Sequence, residues 1–130
     1  LDEQGLEIGE GDAITLYTGH RDAHYDADDV QETLTYFNDA PGLSEETAYW
    51  LGDQGVSNIG IDGPSIDHGS SLSTQKYPAH DMCAEYEVLN MENMTNLDSV
   101  VGLRFTLAAF PLKLDGGTGS PIRPVAIVEE

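Results

Sequence analysis

Apolar side chains fall in short runs along this chain, and their spacing predicts the elements. Ala13-Ile14-Thr15-Leu16-Tyr17-Thr18 is β-branched and aromatic, which suits a half-buried strand because such side chains pack well on a pleated surface. His20 to Asp29 is polar and reads as a loop. Val30, Leu34 and Phe37 recur at helical spacing and predict a short helix over 30–37 with those three on one face, before Pro41-Gly42 forces a turn. Ser44 is a good N-cap, and Glu45 and Glu46 follow it where the helix dipole favours negative charge, so a helix is expected from Glu45 to Gln54, stopped at Gly55. Ile59 to Asp62 predicts a short buried strand ending in the turn Gly63-Pro64. Ala79 to Tyr86 predicts a further helix and Val88 to Glu92 a strand. Leu103 to Leu114 and Val125 to Val128 read as two more strands, joined by Gly116 to Pro121. That glycine-rich loop lacks the lysine and the following helix of a phosphate cradle, so a tight turn is expected there. Strands mixed with two or three helices indicate a mixed α/β or an α+β fold, and 130 residues suit one domain, 1–130.

The four histidines carry the candidate chemistry. His20 and His24 have the four-residue gap of a metal pair, but that gap brings ligands together only on a helix, and a solvated loop is the simpler reading of this segment. His80 follows Tyr77-Pro78-Ala79 at the start of a predicted helix, and Glu92 closes the next strand. A helix-then-strand connection can fold back so that residues twelve apart meet, although spacing alone does not distinguish a ligand from an ordinary histidine. Asp62, Ser65 and Asp67 follow a buried strand, a common location for site residues in α/β folds, and turn capping explains them equally well. Arg123 is expected in an ion pair, and Tyr49 and Trp50 in the core or a subunit contact.

Four ordered segments resemble the cyclase family, which includes kynurenine formamidase. Gly11-Asp12-Ala13 leads to Tyr17-Thr18-Gly19; Pro41-Gly42-Leu43-Ser44 precedes Trp50-Leu51, Gly55-Val56 and Gly60-Ile61-Asp62-Gly63-Pro64-Ser65-Ile66-Asp67. Pro78-Ala79-His80 precedes Met91-Glu92-Asn93 and Asn96-Leu97, and Phe110-Pro111-Leu112-Lys113-Leu114 runs into Gly116 to Ala126. The resemblance implies a swivelling β/β/α domain of the cyclase type, here its C-terminal portion. It implies metal-dependent hydrolysis of an amide C–N bond, in an arylformamide such as N-formylkynurenine or in a cyclic amide. His80 and Glu92 are implied ligands of a divalent metal, zinc or manganese, and Asp62, Ser65 and Asp67 are implied to lie near the substrate cleft. The family's His-x-Gly-Thr-His-x-Asp motif and its general-base histidine belong upstream, and no such motif occurs in these residues. No catalytic residue is therefore expected within the chain, and its two ligands alone would hold metal weakly. The implied partners are the rest of the same enzyme and further copies in a homo-oligomer. A non-catalytic fragment and an acidic binding module are the alternative readings.

Charge narrows the setting. Twenty-four acids against five bases give −19, with the acids dispersed over the whole length. Phosphates would be repelled, so nucleic acid is not an expected partner. The longest apolar stretch, Phe105 to Leu112, is interrupted by Thr106 and Pro111 and is too short for a membrane span. One cysteine, Cys83, cannot form an internal disulfide, and no basic-then-apolar leader opens the chain, so a cytoplasmic location is expected. Dispersed like charges repel in dilute buffer, while at 1 M salt the Debye length falls to about 3 Å and that repulsion is screened. The charge therefore reads as adaptation to a salt-rich cytoplasm. The melting temperature followed by circular dichroism should rise between low and molar potassium chloride; a flat or falling value would remove the salt-adaptation reading.

Overall fold

The computed structural model describes residues 5–129; residues 1–4 and Glu130, the ends of the expected domain, lie outside the described residues. Strands β1 (Ala13–Leu16), β2 (Asn58–Ile61) and β3 (Leu89–Met91) form a parallel sheet in the order β1-β2-β3. Ile14 lies opposite Ile59, and Gly60 opposite Met91. The helices are α1 (His20–His24), α2 (Val30–Asn38), α3 (Glu45–Asp53), α4 (Ser71–Thr74) and α5 (Pro78–Tyr86). A 3-10 turn at Leu97–Val100 leads to an antiparallel pair, β4 (Thr106–Ala108) and β5 (Val125–Ile127). The result is the mixed α/β arrangement expected from the sequence.

The central strand β2 supplies buried Ile59 and Ile61, which pack with Ala48 and Leu51 of α3 and with Ala79 and Met82 of α5. Gly52 lets α3 approach α5 closely, since a Cβ there would sit 3.0 Å from the Tyr86 ring. A second cluster of Met91, Met94 and Leu97 meets Leu107 and Ile122 and so attaches the β4–β5 pair to the sheet. Both ends of α3 follow from its sequence. Ser44 Oγ accepts from the Thr47 amide at 3.1 Å, and Gly55 takes the left-handed conformation past the last turn, with φ +75°. Among the described residues no helix is long and apolar enough to cross a membrane.

Two expectations are corrected. The polar stretch after β1 contains helix α1, which begins at Gly19 in a left-handed conformation, with φ +74°. Helix α2 forms where expected and buries Tyr36, while Val30, Leu34 and Phe37 are exposed. Tertiary bonding decides this, because the Tyr36 hydroxyl donates to Asn93 Oδ1 at 2.7 Å, with the Asp62 carbonyl at 3.3 Å. The long strand expected over 103–114 shrinks to Thr106–Ala108, and the chain after it, through Pro111, carries no ladder bonds.

The segment after β2 is held from the side by Leu43, which pairs in parallel with Asp67 and donates its N–H to the Ile66 carbonyl at 2.8 Å. Gly42 makes this approach possible, because a Cβ there would overlap the backbone of Asp67 and His68. Overpacking of this kind costs about 1–3 kcal/mol. Gly42→Ala is therefore expected to lower stability by about that much in urea unfolding; an unchanged midpoint would show that the two backbones separate freely.

Candidate metal centre

The C-terminal ends of the parallel strands converge on one edge, and the segments leaving them carry the polar groups. Asp67, only 1% exposed, points its carboxylate at the start of α5. Its Oδ1 accepts from the Ala79 amide at 2.8 Å and its Oδ2 from the His80 amide at 3.2 Å. These amides belong to the first turn of α5, where backbone donors lack intrahelical partners and Tyr77 supplies no side-chain cap. Asp67 thus caps the helix from a distance, and the positive end of the dipole favours its charge.

The same Oδ2 lies 2.6 Å from His80 Nδ1. A carboxylate only accepts, so Nδ1 carries the hydrogen, and neutral His80 keeps its lone pair on Nε2. Nε2 lies 3.4 Å from Glu92 Oε1, just beyond the end of β3. Glu92 is positioned in turn, since Oε1 accepts from the Ile66 amide at 3.2 Å and from Asn90 Nδ2 at 3.1 Å. Asn90 Nδ2 is also 3.3 Å from His80 Nε2, so one amide group supplies N–H to both atoms.

The donor set fits a divalent ion. Imidazole nitrogen and carboxylate oxygen bind zinc at about 2.0–2.2 Å, and two such bonds at a tetrahedral angle place their donors about 3.4 Å apart. An imidazole whose other nitrogen is held by a carboxylate is the usual outer support of a metal-ligating histidine. Among the described residues no group of three or more His, Cys, Asp or Glu side chains could hold a metal.

Of the five residues singled out in the sequence, three meet here: His80, Glu92 and Asp67. Asp67 stands behind the histidine, with its carboxylate fully engaged. Ser65 lies within the same turn, its Oγ accepting from the Asp67 amide at 3.1 Å. Asp62 serves another junction. Its carboxylate, 2% exposed, accepts from the Thr18 amide and hydroxyl and from the Gly19 amide at 2.7–2.9 Å, tying the end of β1 to the end of β2. Asn90 was not foreseen; its position two residues before Glu92, on the same side of an extended chain, is the signal that could have found it.

The surroundings are electrostatically negative. Burial raises the Cys83 thiol to about 11, and the Asp67 and Glu92 carboxylates add to the rise. Burial also raises the Tyr36 phenol, with Arg21 opposing it.

A parallel sheet whose strand ends present a carboxylate-held imidazole beside a second carboxylate defines an α/β domain with a nitrogen–oxygen donor pair. The chain belongs to the Cyclase family, whose model matches residues 1–68. It is 36% identical over 83 residues to a kynurenine formamidase of Salinibacter ruber, covering 64% of this chain and 37% of that protein. The fold matches an isatin hydrolase crystallised with the product analogue thioisatinate, at TM-score 0.82 and 26% identity, over 99% of this chain and 49% of that one. It also matches a protein described as a potential metal-dependent hydrolase with cyclase activity, at TM-score 0.71 and 26% identity, over 99% of this chain and 57% of that one. The chain thus spans well under half the length of the formamidase and about half of the two structures. The family match ends at His68, ahead of His80 and Glu92, so the reading of these two side chains rests on their geometry.

A raised thiol pKa has a measurable consequence. Reaction with iodoacetamide at pH 8 needs the thiolate, which an ordinary thiol of pKa about 8.5 forms far more readily than one near 11. Native Cys83 should react about two orders of magnitude more slowly than in the urea-unfolded chain. The unfolded chain ionises first as pH rises, so this group's contribution to stability is present below about 8.5 and lost by about 11. Equal native and unfolded rates at pH 8 would contradict the packing around Cys83.

Proposed function

We propose that this chain supplies one side of the active site of a metal-dependent amide hydrolase, with His80 and Glu92 as its ligands to a divalent ion. The observation that carries this reading is the 3.4 Å approach of His80 Nε2 to Glu92 Oε1, with Nδ1 of the same ring held by buried Asp67. The remaining ligands and the general base come from polypeptide outside these residues. Zinc and manganese are the ions this mixed donor pair suits.

A bound divalent ion supplies Lewis acidity toward a carbonyl oxygen and toward water. Within the chain, Asp67 keeps the imidazole in the tautomer with its lone pair on Nε2 and restrains the ring against rotation. Glu92 contributes negative charge that balances the cation, and the Ile66 amide keeps its carboxylate in place. Asn90, whose N–H groups face both donor atoms, is the group a cation would displace from them.

The substrate we favour is an N-formyl arylamine such as N-formylkynurenine, or a cyclic amide. Support comes from the relative named a kynurenine formamidase and from the structural neighbour named an isatin hydrolase. We further place the protein in a salt-rich cytoplasm, on the strength of its −19 charge and single cysteine. Exposed Val30, Leu34, Phe37 and Phe110 support assembly with the rest of the enzyme or with further copies.

The test is an assay of the full-length gene product, loaded with zinc or manganese, against a panel of formamides and cyclic amides. Hydrolysis is expected, lost on chelation and regained with metal. His80→Ala and Glu92→Gln should each abolish it, and Asp67→Asn should weaken metal affinity by about 10- to 100-fold. Full turnover in His80→Ala would refute the assignment.

A further inference from the structure

The geometry points to a second metal site, distinct from the His80–Glu92 centre, in which His20 and His24 chelate a borderline transition-metal ion such as Ni2+, Cu2+ or Zn2+. The two histidines lie four apart on α1, with ring centroids 4.8 Å apart. Metal–nitrogen bonds of about 2.0–2.1 Å place two imidazoles on one ion with centroids about 5 Å apart, close to the separation observed.

Each ring is already held by the outer contact that a ligand needs. His20 Nε2 lies 3.1 Å from the Tyr36 carbonyl oxygen, which can only accept, so Nε2 carries the hydrogen and Nδ1 the lone pair. His24 Nδ1 lies 3.0 Å from Glu32 Oε2, also an acceptor, which leaves the lone pair on Nε2. This division suits the helix. Side chains on a helix lean toward its N-terminus, so a residue four later can bring the far nitrogen of its ring to the near nitrogen of the earlier one.

Charge and ligand chemistry agree with this. Asp22, Asp26, Asp28, Asp29 and Glu32 surround the pair in sequence, while the one nearby cation, Arg21, has its guanidinium 4.1 Å from the centre of the Tyr25 ring. Imidazole pairs favour nickel, copper and zinc over magnesium or calcium. Two protein ligands leave the remaining positions to water, which sets the affinity well below that of a closed structural site.

Binding of Ni2+ and Cu2+ to the 130-residue chain near pH 7.5, measured by calorimetry, tests this. His80→Ala removes the other centre, and in that background one ion per chain should still bind. Adding either His20→Ala or His24→Ala should weaken binding at least tenfold, whereas His68→Ala should leave it unchanged. Affinity unchanged in both pair variants, or lost entirely in His80→Ala alone, would overturn the proposal. Should a pair variant fail to fold, diethyl pyrocarbonate labelling of the wild-type chain decides. Nickel should protect His20 and His24 from modification but not His68, and equal labelling of the pair with and without nickel would refute the site. Because the readout is binding at α1, failure here leaves the hydrolase reading standing, and failure of the hydrolase assay leaves this one standing.

Discussion

The structure around the donor pair depends on one buried carboxylate. Asp67 accepts from two backbone amides at the start of α5 and from the imidazole it positions, so a single carboxylate caps a helix and orients a histidine at once. Burying a charge is costly unless it is hydrogen-bonded, and charge-assisted bonds are the stronger kind. Here the same bonds that satisfy the charge fix the histidine, so neither role can be altered alone. An asparagine in this position would still accept on one side, but it would present N–H groups where an acceptor is needed.

That carboxylate stands where it does because of backbone contacts made elsewhere. The Leu43–Asp67 pairing and the close approach at Gly42 hold the segment leaving β2, and the α3–α5 contact at Gly52 sets the distance from helix to sheet. Asp62 performs a parallel task at the neighbouring strand end, closing the β1 exit onto the β2 exit through Thr18 and Gly19. Two aspartates five residues apart on one turn are thus used as internal braces. Glu92, the carboxylate beside His80, comes from just beyond the third strand.

Where signals were local, the sequence was legible. Ser44 and Gly55 bound α3 as expected, and β2 and β3 lie within one residue or so of their predicted positions. Helix α5 begins one residue early because Pro78, with no N–H to lose, is at ease in a first turn. Helix α1 was not legible, since its five residues have no side-chain cap and little apolar content. The buried residue of α2 was not legible, because a hydrophobic stripe says nothing about the hydroxyl of Tyr36, which finds its partners far away in sequence. The convergence of His80 on Glu92 could not be read from spacing; resemblance to a family named the two residues, and the structure brings them together. Asn90 escaped notice because an amide on a short strand is ordinary until its two acceptors are seen.

The donor pair and its supports draw on a compact tract of chain. Ile66, Asp67, His80, Asn90 and Glu92 all lie in the tract from β2 to just past β3, and the residues that brace Asp67 come earlier in the chain. During synthesis the donor pair and its braces have therefore all emerged before β4 and β5 exist. Because Leu43, Gly42 and Gly52 lie outside β2–α5–β3, that unit moved alone would lose the braces of its carboxylate.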